Sequence, residues 1–119
     1  MKNALVLGAS LNTDRYSNMA MRKLKLKGYS VFSLGSSKGR VESMEIHTEQ
    51  FLIENLYVIT IYLNAANQIG YYDYILQLKP EKVIFNPGSE NKGLEILLDK
   101  KGIPYEHACT LVLLNLNQL

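Results

Sequence analysis

Residues 4–18, ALVLGASLNTDRYSN, decide the fold expected for this chain. Residues 4–8 form an apolar run typical of a short buried strand, and small residues then end it. A helical pattern begins at about Ser17. Small residues between a strand and a helix let a ligand approach the backbone, and the free N–H groups and dipole of a helix N-terminus attract a phosphate. The stretch therefore predicts an α/β domain with an anion site at its first turn.

This turn differs from the dinucleotide fingerprint G-x-G-x-x-G, because Ser10 and Thr13 stand where the second and third glycines would be. Its small residues keep the backbone open, its hydroxyl and amide groups can bond an anion, and Arg15 can fork onto a phosphate. Ser17 or Asn18 is expected to cap the helix. An ordinary tight turn with a helix cap is the alternative. The candidate binding residues are Gly8, Ala9, Ser10, Asn12, Arg15, Ser17 and Asn18.

Composition bounds the class of protein. The 119 residues suit one domain over 1–119, and 47% apolar and 20% charged residues are ordinary for a globular protein. The formal net charge of +2 does not argue for a nucleic-acid partner. The chain has one cysteine, Cys109, and no run approaches the roughly 20 apolar residues of a membrane span. A cytoplasmic location without membrane insertion is expected.

Apolar periodicity alternates between strands and helices along the chain. Strands are predicted over 4–8, 29–34, 57–63, 82–85 and 103–107, and helices over 17–27, 69–78 and 92–101. Residues 40–54 have no sustained period, so we expect an extended piece near 41–46 and then a connector. Residues 110–116 should pack as a short helix or strand. The alternation predicts a doubly wound, mainly parallel sheet of about five strands in a three-layer α/β/α domain, with ligands beyond the strands' carboxyl ends.

The end of the second strand lacks the acidic residue that binds ribose hydroxyls in dinucleotide sites. Gly35, Ser36 and Lys38 stand there instead, and serine with lysine suits a phosphorylated ribose. This favours coenzyme A or NADP as the ligand. A flexible loop with a solvated lysine is the alternative.

Two further turns are candidates at the same edge. Asn86, Pro87 and Gly88 follow the fourth strand, although a turn with Ser89 as a helix cap needs no ligand. Cys109 follows the last strand, where it could face a ligand or lie buried as a small apolar residue.

Catalytic motifs are not evident. His47 and His107 have no metal-ligand spacing around them, and neither a nucleophile elbow nor a Walker pattern is present. The sequence thus favours binding over catalysis, with no metal.

With these residues in view, the whole chain resembles the small stand-alone coenzyme A-binding domains, which are Rossmann-like and similar to the CoA-binding domain of the succinyl-CoA synthetase α subunit. The matching segments are 6–10 with Arg15 and 17–18, then 28–31, 59–63 and Cys109. The resemblance implies that the first loop holds the pyrophosphate and that the end of strand two lies by the adenosine ribose. It also implies that Tyr62, Leu63 and the turn at Asn86 lie along the cofactor. Residues 34–36 depart from the proline-containing turn of many members.

The leading hypothesis is a cytoplasmic protein that binds coenzyme A or acyl-CoA as a small-molecule nucleotide ligand, with no chemistry of its own. An NAD(P)-linked redox enzyme or sensor is the second hypothesis. A Rossmann-like protein-interaction module is the third. A homodimer is compatible with each, since small α/β domains often pair through an exposed face.

Overall fold

The computed structural model describes residues 2–119, which form one sheet flanked by helices. The strands are β1 (Asn3–Ala9), β2 (Ser30–Gly35), β3 (Gly39–Val41), β4 (Met44–His47), β5 (Leu56–Ile61), β6 (Lys82–Phe85) and β7 (Tyr105–His107). The helices are α1 (Tyr16–Leu26), α2 (Ala65–Gln68), a 3₁₀ turn (Ile69–Tyr71), α3 (Tyr72–Leu78), α4 (Lys92–Lys101) and α5 (Thr110–Asn115). No helix within residues 2–119 is long and apolar enough to cross a bilayer.

The sheet has the order β3-β4-β2-β1-β5-β6-β7. All neighbouring strands are parallel except β3 and β4, which form an antiparallel hairpin. β1 lies between β2 and β5, so the chain winds outward from β1 in both directions. This reversal is the topological switch point at which open α/β sheets bind ligands.

Alternation along the strands fills two apolar cores, one on each face of the sheet. Leu5 and Leu7 of β1 pack in the core that contains α3 and α4. Ala4 and Val6 pack in the core that contains α1 and α5. Since neighbouring strand residues point to opposite faces, this pattern produces the three α/β/α layers.

The predicted count of about five strands is wrong, because the sheet formed by residues 2–119 has seven. The five predicted strands correspond to β1, β2, β5, β6 and β7, and the additional hairpin lies in the segment without a clear period. Its turn uses Glu42 at a φ of 54°, so no glycine or asparagine marks it in the sequence. Buried Val41, Met44 and Ile46 nevertheless place one face of the hairpin in the core.

Two helix starts also differ from the prediction. α1 begins at Tyr16, and the extended Arg15 is its N-cap without a side-chain hydrogen bond. Ser17 and Asn18 are therefore not caps but buried residues of the first turn. The helix predicted over 69–78 is divided: α3 begins at Tyr72, and the 3₁₀ turn and α2 precede it. α2 begins at Ala65 because the Asn64 side chain accepts a hydrogen bond from the Asn67 N–H and caps it.

Candidate functional site

A cavity of about 860 Å³ lies at the carboxyl ends of the central strands. It extends to both sides of the end of β1, toward β2 and toward β5, and we call it the switch-point cavity. It is lined by Gly8, Ala9, Ser10, Leu11, Asn12, Arg15, Tyr16, Ser17, Leu34, Gly35, Ser36, Ser37, Tyr62, Leu63, Asn67, Tyr71 and Pro87.

Gly8 shapes the floor of this cavity. It has a φ of 93°, and the pairing of β1 with β2 shifts register between Leu7 and Ala9. A Cβ at Gly8 would lie 3.0 Å from the backbone carbon of Tyr62 and 3.1 Å from the Leu63 side chain. Both the backbone conformation and the close approach of the chain after β5 therefore require glycine here.

The N-terminus of α1 opens onto the cavity without a cap. The N–H groups of Tyr16, Ser17 and Asn18 have no acceptor among residues 2–119, and the first turn contains no acidic residue. Arg15 is exposed, lines the cavity and makes no ion pair in the described chain. Unpaired N–H groups, the helix dipole and a free guanidinium together form an environment suited to an anion.

The turn before α1 uses its own polar side chains to hold its shape. Ser10 Oγ accepts a hydrogen bond from the Asn12 N–H at 3.1 Å, and Asn12 Oδ1 accepts one from the Asp14 N–H at 2.9 Å. Asn18 was predicted as a binding residue, but it is fully buried and does not line the cavity. Its Nδ2 donates to the Ser10 carbonyl oxygen at 2.9 Å, and its Oδ1 accepts from Arg22. Asn18 therefore stabilises the turn from the protein interior.

The side of the cavity next to β2 is polar and open. Gly35, Ser36 and Ser37 line it, and a Cβ at Gly35 would collide with the carbonyl oxygen of Ala9. Lys38 was predicted in this site, but it is exposed and is not part of the lining. It directly precedes β3, where the chain enters the hairpin.

The side next to β5 contains Tyr62, Leu63, Asn67, Tyr71 and Pro87. The predicted residues Asn86 and Gly88 are not in the lining. The N–H of Gly88 donates to both carboxylate oxygens of Glu90, at 3.0 and 3.1 Å. Hydrogen bonds from the backbone N–H groups of Glu90 itself and of Gly88 lower the pKa of the Glu90 carboxyl.

Asn86 is buried because its side chain joins three elements. Its Nδ2 donates to Thr60 Oγ1 at 2.7 Å and to the Ile61 carbonyl oxygen at 2.9 Å. Its Oδ1 accepts from the N–H of Thr110 at 2.9 Å, which links β6 to the start of α5. These contacts engage both the nitrogen and the oxygen of the Asn86 amide within the protein.

A second buried amide, Gln68, holds the same side of the cavity. Its Nε2 donates to the carbonyl oxygens of Leu63, at 2.8 Å, and Ser89, at 2.7 Å. Its Oε1 accepts from Asn91, whose Oδ1 caps α4 through the Leu94 N–H. Gln68 thus links the loop after β5 to the loop after β6 through hydrogen bonds.

Cys109 is half-buried as the N-cap residue of α5 and is not part of the cavity lining. The hydroxyl of Tyr62 lies in its vicinity. Burial raises the pKa of Tyr62 to about 12, and Cys109 contributes to this rise, whereas Thr60 and Thr110 lower it.

Six lining residues were not among the predicted site residues: Leu11, Tyr16, Ser37, Asn67, Leu34 and Tyr71. The first four belong to segments that follow strands at the predicted ligand edge. Their place after a strand is the sequence signal that could have identified them as site residues. Tyr71 belongs to a tyrosine-rich stretch that is typical of core packing, and its sequence context carries no sign of the cavity. Among residues 2–119, no group of three His, Cys, Asp or Glu side chains could hold a metal ion.

The fold is that of a Rossmann-like α/β domain with its cavity at the switch point. Residues 2–115 match the family model described as the CoA binding domain, and the chain belongs to this family. The resemblance inferred from the sequence is thereby confirmed.

Solved structures agree with this fold. The crystal structure of an uncharacterized protein is 43% identical, with a TM-score of 0.96, and the match covers 100% of this chain and 98% of that one. A Thermus thermophilus protein is 19% identical with a TM-score of 0.85, covering 99% and 90%. A conserved hypothetical protein from Pyrococcus furiosus is 19% identical with a TM-score of 0.79, covering 94% and 99%. The last two show likeness of fold alone. No curated protein matches the chain.

Proposed function

We propose that this chain binds coenzyme A or an acyl-CoA in the switch-point cavity. The observation that carries the proposal is the uncapped N-terminus of α1, which opens onto the cavity beside the unpaired Arg15. In this arrangement the N–H groups of Tyr16 and Ser17 bind the pyrophosphate, and the Arg15 guanidinium adds a charge-assisted hydrogen bond. Membership of the CoA-binding family supports the choice of ligand.

The two sides of the cavity suit the two ends of such a ligand. The volume of about 860 Å³ is within the range of small-molecule sites. Ser36 and Ser37 offer hydroxyls to a phosphorylated ribose next to β2. Tyr62, Leu63 and Pro87 offer a more apolar surface to the pantetheine arm next to β5.

The proposed role is recognition without chemistry. Arg15 is the only charged residue of the lining, and no lining side chain is a histidine, cysteine or carboxylate. General acid–base catalysis near neutral pH uses groups of that kind. The lining therefore supports a carrier, sensor or regulatory protein for coenzyme A.

NADPH is the second candidate ligand. Ser36 and Ser37 replace the acidic residue that binds unphosphorylated ribose, and a ribose phosphate occurs in both NADPH and coenzyme A. The two ligands differ in the groups that would reach the β5 side, so a direct comparison of their affinities separates them.

Isothermal titration calorimetry with coenzyme A, acetyl-CoA, NADPH and NADH tests the proposal. We expect the two CoA compounds to bind with 1:1 stoichiometry and more tightly than either nicotinamide nucleotide. Preferential binding of NADPH would favour the second candidate. Failure of all four ligands to bind would contradict both.

Arg15→Gln tests the assigned anion contact. We expect it to weaken coenzyme A binding about tenfold, which is the lower range for a hydrogen bond to a charged group. Lys100→Gln is the matched control, because it removes the same charge at an exposed position of α4 outside the cavity lining. Equal effects of both changes would show that only net charge matters and would remove Arg15 from the site.

A further inference from the structure

The loops that bound the β5 side of the switch-point cavity contain no cation. Residues 62–71, which follow β5, include no Lys, Arg, His, Asp or Glu. Residues 86–91, which follow β6, include one charged residue, Glu90. Arg15 is the only charged residue of the lining, and it lies at the N-terminus of α1. A carboxylate on the β5 side therefore has no cation in these loops with which to pair.

The one charge in the two loops is negative. The Gly88 N–H donates to both carboxylate oxygens of Glu90, at 3.0 and 3.1 Å, next to Pro87 of the lining. Backbone hydrogen bonds lower the pKa of the Glu90 carboxyl, so it is ionised at neutral pH. Lys92, the next cation along the chain, is exposed at the start of α4 and is not part of the lining. The loops themselves thus repel a second anion.

The surface on this side is apolar and built before a ligand arrives. The Leu63 side chain lies 3.1 Å from the position that a Cβ would occupy at Gly8, so it covers the end of β1. Leu63 and Tyr71 also pack against the core that contains α3 and α4, and Pro87 continues the apolar lining. Burying an apolar group on such a surface is favourable, whereas taking an ionised carboxylate out of water without a partner is costly.

The order of the strands determines which part of the ligand meets these loops. Ser36 and Ser37 follow β2, on one side of β1, whereas β5 and then β6 lie on the other side. With the nucleotide next to β2 and the pyrophosphate at the N-terminus of α1, the thiol end of coenzyme A extends across the loops after β5 and β6. In an acyl-CoA, this end carries the acyl group.

Resting on the proposed function, we propose that the site selects free coenzyme A and acyl-CoA molecules with an uncharged acyl group, and that it rejects acyl groups that end in a carboxylate. An apolar acyl group gains contact with the lining on the β5 side. A terminal carboxylate loses water there, finds no cation in the loops and is repelled by Glu90. The charge of the acyl group is thus the property that this site reads.

Butyryl-CoA and succinyl-CoA form a matched pair of ligands for the test. Their acyl groups have the same chain length, but one ends in a methyl group and the other in a carboxylate. In calorimetric titrations of the wild-type protein we expect butyryl-CoA to bind about tenfold more tightly, a modest cost for a carboxylate without a partner. Equal affinities, or tighter binding of succinyl-CoA, would overturn the proposal.

Asn67→Lys tests where the acyl group lies. Asn67 is an exposed residue of α2 in the cavity lining, so this change adds a cation on the β5 side. We expect the preference for butyryl-CoA over succinyl-CoA to fall about twofold to fivefold, the range of an exposed ion pair. Ala66→Lys is the matched control, since it adds the same charge at the neighbouring exposed position outside the lining. An equal fall in both variants, or no fall in Asn67→Lys, would contradict the assignment of the acyl group to this side.

Free coenzyme A separates this inference from the proposed function. If the wild-type protein binds coenzyme A but does not distinguish the two acyl-CoA molecules, the proposed function stands and the selection by charge is wrong. If none of the three ligands binds, the proposed function is contradicted and the inference falls with it.

Discussion

The two sides of the switch-point cavity are built in different ways. Next to β5, the buried amides of Gln68, Asn86 and Asn91 hydrogen-bond to neighbouring loops and strands. Next to β2, Ser36 and Ser37 are exposed, and no side-chain hydrogen bond of theirs occurs within residues 2–119. The comparison indicates that the β5 side is fixed before a ligand arrives, whereas the β2 side keeps polar groups free for it. Rigid walls reduce the entropy cost of binding.

The largest loss of stability is expected from a substitution of Asn86, whose hydrogen bonds hold the β5 side of the cavity. Asn86→Ala removes side-chain hydrogen bonds to Thr60, Ile61 and Thr110 and leaves the buried N–H of Thr110 unpaired. We expect the free energy of unfolding to fall by about 3 kcal/mol, as measured by urea denaturation. Asn115→Ala, at an exposed position of α5, should change it by less than about 0.5 kcal/mol. A loss below about 1 kcal/mol for Asn86→Ala would show that this network does not hold the wall.

Alkaline pH should weaken the same side through Tyr62. Its pKa is about 12 in the folded protein and near 10 in the unfolded chain. The folded state therefore retains a proton that the unfolded state loses, so this contribution is complete below pH 10 and declines as the pH rises toward 12. Between pH 9 and 11.5 the wild type should lose about 2 kcal/mol more stability than Tyr62→Phe. Urea denaturation of both proteins at the two pH values checks this, and parallel losses would contradict it.

The glycines of the β2 side should differ from each other. A Cβ at Gly35 would collide with the Ala9 backbone, whereas one at Gly39 would lie 2.6 Å from a methyl group of Leu11, a side chain that can move. We expect Gly35→Ala to cost about 2 kcal/mol and Gly39→Ala less than about 1 kcal/mol. Urea denaturation measures both.

Gly70→Ala is the control for this pair, because nothing lies within 4 Å of its Cβ position. Adding Leu11→Ala to Gly39→Ala should restore part of the lost stability if the Leu11 contact is its cause. Equal losses of unfolding free energy from Gly35→Ala and Gly39→Ala would mean that the end of β2 and the start of β3 are equally rigid.

The smallest effect is expected from the ion pair between Lys25 of α1 and Glu42 in the hairpin turn. The two groups are 3.1 Å apart, but both side chains are largely exposed, so water and salt screen their attraction. A double-mutant cycle with Lys25→Ala and Glu42→Ala should give a coupling of at most about 0.5 kcal/mol. A coupling above 1 kcal/mol would show that this ion pair stabilises the hairpin and that the β2 side of the molecule is more rigid than the comparison of the two sides indicates.

The sequence predicts the central architecture well because strong local patterns determine it. The apolar run of β1, the small residues after it and the Gly102 stop after α4 lie where expected. The β3–β4 hairpin was not predicted as such, since its turn residue Glu42 adopts a positive φ without a glycine signal. Its stability comes from pairing with the rest of the sheet, which local patterns do not show.

The candidate site was predicted as a set of turns better than as a set of side chains. The turns after β1, β2 and β5 do surround one cavity, because parallel strands end at the same edge. Asn18 and Asn86 resemble ligand-binding amides in sequence, yet both are buried in hydrogen bonds to the protein. Whether an amide faces a cavity or the interior depends on side-chain direction in the packed fold, and a linear sequence contains little of that information.

An NMR titration of ¹⁵N-labelled protein with coenzyme A tests the central claim most directly. If the pyrophosphate binds at the uncapped helix terminus, the amide signals of Tyr16, Ser17 and Asn18 should shift most and saturate together with those of Ser36 and Ser37. The amide signals of α4, which packs on the opposite face of the sheet from α1, should shift little. Saturable shifts confined to surfaces outside the switch-point cavity, or no shifts at millimolar coenzyme A, would contradict the account.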